Sequence, residues 1–128
     1  MRARQARRVL HFDAVLDAGV GGLLLLSAWD DLFLALGIPP PEPAIFAELA
    51  GVLLLGFAYL LWVAPDYAVL ARRVTEVAAL SNAIAAALIA LWLASRPDGL
   101  ELLGGVLMGA LAVALAVLAW LEARITSF

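Results

Sequence analysis

Asp17, Glu48, Tyr59 and Asn82 are the side chains whose types and spacing could do chemistry in this chain. Each is polar or ionisable and each stands inside a long apolar stretch. A carboxylic acid in such surroundings needs a proton, a cation or hydrogen-bond donors. An Asp–Glu pair so placed could do acid/base work on a lipophilic substrate, or bind one, with the Tyr hydroxyl and Asn amide as further contacts. No spacing among them demands a particular reaction, and no catalytic residue can be assigned.

The stretches that must position these residues cover 14–38, 44–64, 77–94 and 100–121, and a Trp stands near one end of each. A bilayer crossing needs about 20 mostly apolar residues. The 128 residues are 66% hydrophobic with a mean hydropathy of +1.03, well beyond an ordinary soluble domain. The expected fold is an all-α polytopic membrane four-helix bundle. It forms a single domain, with spans at about 9–36, 44–64, 74–95 and 100–121. The Pro39-Pro40-Pro41 run, Ala64-Pro65-Asp66-Tyr67 and Ser95-Arg96-Pro97-Asp98-Gly99 make the connections. They are short, so consecutive helices should be antiparallel neighbours.

Charge sets the orientation. Arg2, Arg4, Arg7 and Arg8 precede the first span, Arg72 and Arg73 lie in the second connection, and Arg124 follows the fourth. Arg96 alone falls on the other side. By the positive-inside rule both termini are expected in the cytoplasm, with the chain in the inner membrane. A cleaved leader is not expected, because Asp13 and Asp17 interrupt the first apolar stretch. Trp29 and Trp92 then mark the outer interface, and Trp62 and Trp120 the inner one. If Trp29 marks the surface, the first span runs from about Val9 to Trp29, followed by an interfacial extension. A span over Ala14–Ile38 would instead draw Asp30 and Asp31 into the membrane, at about 2.5–3.5 kcal/mol for a carboxylate near the centre.

At helical spacing Asp13, Asp17, Gly21, Leu24 and Asp31 share a stripe, with Asp13 expected at the interface. Glu48, Gly51, Leu55, Tyr59 and Trp62 share another. In the third span Thr75, Asn82 and Ile89 align, with Glu76 nearer the cytoplasm. In the fourth, Glu101 lies near the outer end and residues 102–121 are uncharged. Matching depths predicts an inner cluster of Asp17, Tyr59, Arg72, Arg73, Glu76 and Asn82. An outer one would contain Asp30, Asp31, Glu48 and Glu101 near Arg96. Asp17 is expected beside Asn82 or an Arg. Glu48 has no cation at its depth and either holds a proton or faces a water- or ligand-filled cavity. Structural roles compete: Asp17 and Asn82 as interhelical glue, Arg72, Arg73 and Glu76 as a solvated helix start, and Tyr59 with Trp62 as interface anchors.

Helices in lipid associate through small residues that let backbones approach. Ala18 with Gly22, Ala47 with Gly51, and Gly105 with Gly109 are the expected packing sites. Gly105 and Gly109 could serve the bundle itself or a homodimer.

Several chemistries are excluded. Without Cys there are no disulfides or thiolate sites. His11 is the only histidine, so bis-His haem ligation within the chain is impossible. No Walker loop, HExxH or metal-spaced cluster is present, and neither cofactor nor metal is expected. The basic N-terminus suits anionic lipid rather than nucleic acid.

The run from Ala35-Leu36-Gly37-Ile38-Pro39 through Glu48-Leu49-Ala50-Gly51 resembles the small four-helix DoxX-like bacterial membrane proteins, over roughly residues 18–121. That resemblance implies an inner-membrane four-helix bundle, some of whose relatives accompany quinone-linked or other redox enzymes. It carries over Glu48 and Gly51 as candidate positions without a catalytic role. Three functions follow as expectations. The first is an accessory or binding subunit of a membrane assembly. The second is an enzyme or binder for a lipophilic small molecule that uses intramembrane carboxylates. The third is a small proton-coupled multidrug-type transporter, although the chain shows no convincing internal repeat.

Overall fold

Ala and Leu, both strong helix formers, dominate the sequence between the Pro- and Gly-bearing connections. A computed structural model describes residues 2–126, with side chains from Ala3, so the Arg2 side chain of the basic N-terminal run lies outside the described residues. Five α-helices form: α1 (Arg2–Leu25), α2 (Asp30–Ala35), α3 (Ala44–Val63), α4 (Ala68–Ala94) and α5 (Leu102–Thr126). A single 3₁₀ turn, Ala64–Asp66, joins α3 to α4. No strand occurs among the described residues.

The α3 helix with its turn, α4 and α5 are each long and apolar enough to cross a membrane, which marks the chain as a membrane protein. At 1.5 Å per residue the 20 residues of α3 span ~30 Å, one hydrocarbon thickness. Large apolar side chains face outward, Leu53, Val69 and Leu102 among them. That arrangement suits lipid as solvent, because lipid gives apolar groups no incentive to hide.

The first apolar stretch is two helices rather than one. The α1 helix stops at Leu25 and a turn follows, held by Ser27 N–H to Leu24 O (3.1 Å) and Trp29 N–H to Leu26 O (2.9 Å). Ser27 is buried there, and its hydroxyl donates to the Ala44 carbonyl at the start of α3 (3.2 Å). Asp30 and Asp31 then occupy the first turn of α2, where the helix dipole favours carboxylates.

Gly37 ends α2 with a φ of 69°, a conformation side chains resist. Ile38 N–H returns to Phe33 O (3.0 Å) and Gly37 N–H to Leu34 O (3.0 Å), closing a Schellman cap. The freed Gly37 carbonyl accepts the Glu101 N–H at 2.9 Å. A Cβ on Gly104 would collide with that same carbonyl, so only glycine lets the link rest against α5.

The bundle consists of two close helix pairs, α1 with α3 and α4 with α5. The first pair touches backbone to backbone: a Cβ on Gly51 would lie 2.6 Å from Gly21 O, and one on Gly21 2.9 Å from Gly51 O. Gly51 thus packs against Gly21, whereas a Cβ on Gly22, also expected at a packing site, would meet open space. A Cβ on Gly105 or Gly109 would likewise meet open space.

The pairs meet at the end that carries both termini. Leu10 and Ala14 of α1, Leu61 of α3, Ala64 of the turn, and Val74 and Ala78 of α4 form the buried apolar core there. Arg7 and Asp66 close the surface above it with an ion pair (2.6 Å). The seam between the pairs continues from this core toward the middle of the bundle, and its side chains change from apolar to acidic.

Candidate functional site

Three helices bring polar side chains into that seam. Asp13 and Asp17 are one turn apart on the inner face of α1, Asn82 comes from α4 and Glu122 from α5. Asp13 and Glu122 are fully enclosed, Asn82 is 5% exposed and Asp17 6%. The Asn82 amide nitrogen donates to Asp13 Oδ2 (3.1 Å) and to Glu122 Oε2 (3.1 Å), so both its protons are used. Oδ1 of Asp13 and Oε1 of Glu122 receive no donor from another residue. The trio thus forms a closed polar network inside the bundle.

Asp17 is outside that network. No hydrogen bond or ion pair reaches its carboxyl among the described residues. Instead it lines a cavity of about 170 Å³ between the helix pairs. Asn82 and Ser81 are the other polar residues of its wall, and Val20, Phe57 and Leu115 represent the apolar remainder. All four long helices contribute. An apolar cavity of ~150 Å³ is large enough for a benzene ring.

Of the residues expected to bind a ligand, the structure brings two together: Asp17 and Asn82 share this cavity. Tyr59 is 71% exposed on the outer face of α3. Glu48 is half-buried, lies nearer the opposite end of α3 and is absent from the cavity wall. Arg72 and Arg73 do not approach Asp17. They pair with Glu76 on the exposed flank of α4 (3.2 and 3.0 Å), three and four residues being the distance of one helical turn. The expected inner cluster is therefore split, its acid and amide inside and its arginines outside. Asp13, expected at the interface, is enclosed by protein because α5 covers it with Glu122.

Glu122 is the member that sequence reasoning missed. It directly follows the apolar stretch, two residues before Arg124. The signal was its register: Leu115, Leu118 and Glu122 recur at three- and four-residue steps, and all are buried.

Aromatic residues cluster at the two ends of the bundle. The Trp62 ring stacks on His11 (4.2 Å between centroids), and His11 Nε2 lies 3.2 Å from the Trp62 carbonyl. Arg124 sits over the Trp120 ring at 4.0 Å. Both pairs are at the terminus-bearing end, where a basic side chain on an indole suits a headgroup layer. Trp29 follows α1 and Trp92 ends α4 at the opposite end.

Among the described residues no grouping of His, Asp and Glu is arranged to hold a metal ion. Compared with known proteins, the chain matches no family model, no curated protein and no solved structure.

Proposed function

We propose that this chain is an inner-membrane four-helix protein that binds a small lipophilic molecule between its two helix pairs. In this reading α1 is the fourth span, and its acids are tolerated because they face the seam rather than lipid. Both termini lie in the cytoplasm, in keeping with the arginines gathered at their end. The observation that carries the binding role is Asp17: a carboxyl almost fully enclosed, without a partner, on the wall of a mainly apolar cavity. Burying such a group costs several kcal/mol unless something satisfies it. The Asp13–Asn82–Glu122 network next to it stiffens the seam and holds the wall in place. The Gly37-Ile38-Pro39 link and the Glu48–Gly51 segment support placing the chain beside the DoxX-like proteins.

A second reading, an accessory subunit of a membrane assembly, draws on the open faces of Gly105 and Gly109. Native mass spectrometry of protein extracted gently from its own membranes separates the two. The binding reading expects a stoichiometric small lipophile on the wild type, absent from Leu115→Trp, whose indole fills the cavity. A ligand-free chain that travels in a larger assembly would overturn it and favour the subunit.

A further inference from the structure

The charge around the cavity is one-sided. Among the described residues the buried polar side chains are Asp13, Asp17, Ser27, Thr75, Asn82 and Glu122, and none is basic. The described arginines are elsewhere: Arg7 on Asp66, Arg72 and Arg73 on Glu76, Arg124 on Trp120, with Arg4, Arg8 and Arg96 exposed. Asn82 has spent both amide protons on Asp13 and Glu122, so it has none for Asp17. The one donor left on the cavity wall is the Ser81 hydroxyl, on a residue that faces mostly outward.

Three classes of lipophile could enter, and the wall treats them differently. An anion would meet the Asp17 carboxyl on the wall, with Asp13 and Glu122 behind Asn82 and the Ser81 hydroxyl as its one donor. A neutral lipophile would fill the space but leave the Asp17 carboxyl desolvated and unpaired. A protonated amine would satisfy it with a charge-assisted hydrogen bond. The Asp13 and Glu122 carboxyls lie beyond Asn82 and set no positive charge against such a cation. Phe57 offers an aromatic surface to the same cation.

We infer that the occupant is a protonated amine carrying an apolar body of about one aromatic ring, with Asp17 as its counter-ion. This rests on the binding role proposed above and names the chemical class that the site selects.

The test uses the full chain in lipid nanodiscs, with empty nanodiscs as the partition control. Binding of para-fluorobenzylammonium and of para-fluorobenzyl alcohol is followed by fluorine NMR at neutral pH. The two probes share a ring and differ in charge. The expected result is that wild type holds the ammonium roughly tenfold or more tightly than the alcohol, and that Asp17→Asn abolishes this preference while still binding the alcohol. If Asp17→Asn does not fold, Asp17→Glu with its preference retained serves in its place, alongside the wild-type ratio. Equal or tighter binding of the alcohol by wild type would overturn the amine assignment and leave the lipophile site standing. Binding of neither probe, with water alone in the cavity, would overturn both.

Discussion

Asp13 and Glu122, from opposite ends of the chain, accept hydrogen bonds from the same amide group, the Nδ2 of Asn82, each at 3.1 Å. One neutral side chain on α4 thereby ties α1 to α5. The two helix pairs touch each other far less than the members of each pair do, so this bridge lies where the bundle is otherwise most easily opened. The cavity lined by Asp17 lies at this same seam.

Replacing Asn82 should therefore be costly. In Asn82→Ala both carboxyls lose their donor, and each buried group left short costs about 1–3 kcal/mol. Thermal unfolding in mild detergent should show a clear drop in melting temperature. An unchanged transition would mean that water already supplies the donors.

Glu122 separates hydrogen bonding from charge. Glu122→Gln keeps an acceptor for Asn82 and presents an N–H to Asp13, so stability should change by no more than about 1 kcal/mol. Glu122→Ala removes the partner and leaves a cavity, with an expected loss of about 2–3 kcal/mol. Equal effects of the two substitutions, read by the same unfolding assay, would contradict the network.

The glycines make a contrast between packed and open positions. Gly51→Ala puts a methyl 2.6 Å from the Gly21 carbonyl, too close without shifting α1 from α3. A loss of about 1–3 kcal/mol is expected from such overpacking. Gly22→Ala and Gly105→Ala meet open space and should be neutral or slightly stabilising, since alanine is the better helix former. Comparing melting temperatures of the three variants checks the assignment of Gly21–Gly51 as the crossing point.

Orientation can be read directly, because the chain has no cysteine of its own. Tyr67 stands at the terminus-bearing end and Asp98 at the other, and both are exposed. In intact cells a membrane-impermeant thiol reagent should label Asp98→Cys and spare Tyr67→Cys, which reacts only after lysis. The reverse pattern would invert the proposed topology.

Long apolar stretches, proline-bearing links and the one-sided arginines are local features, legible without tertiary contacts. Helix existence follows from them, because in lipid a backbone must satisfy its own hydrogen bonds. Asp17 and Asn82 also stood out, since a polar side chain amid apolar neighbours is conspicuous in one dimension. Glu122 did not, because at the end of a stretch an acid facing inward and an acid facing solvent have the same sequence surroundings.

The sequence by itself determined the long apolar helices, the proline-bearing breaks between them, the end at which positive charge gathers and two of the cavity's polar groups. Only the tertiary structure decided that Gly21 rather than Gly22 meets Gly51, that Glu48 and Tyr59 lie away from the cavity, and that Asp13 and Glu122 meet across Asn82. The reason is rotational. Helical periodicity states which residues share a face, but a helix apolar nearly all round does not state which face turns inward. In α5 the residues between Glu101 and Glu122 are uncharged throughout. Its orientation is set by contacts with α4 and with the Gly37 link, none of which is visible along the chain.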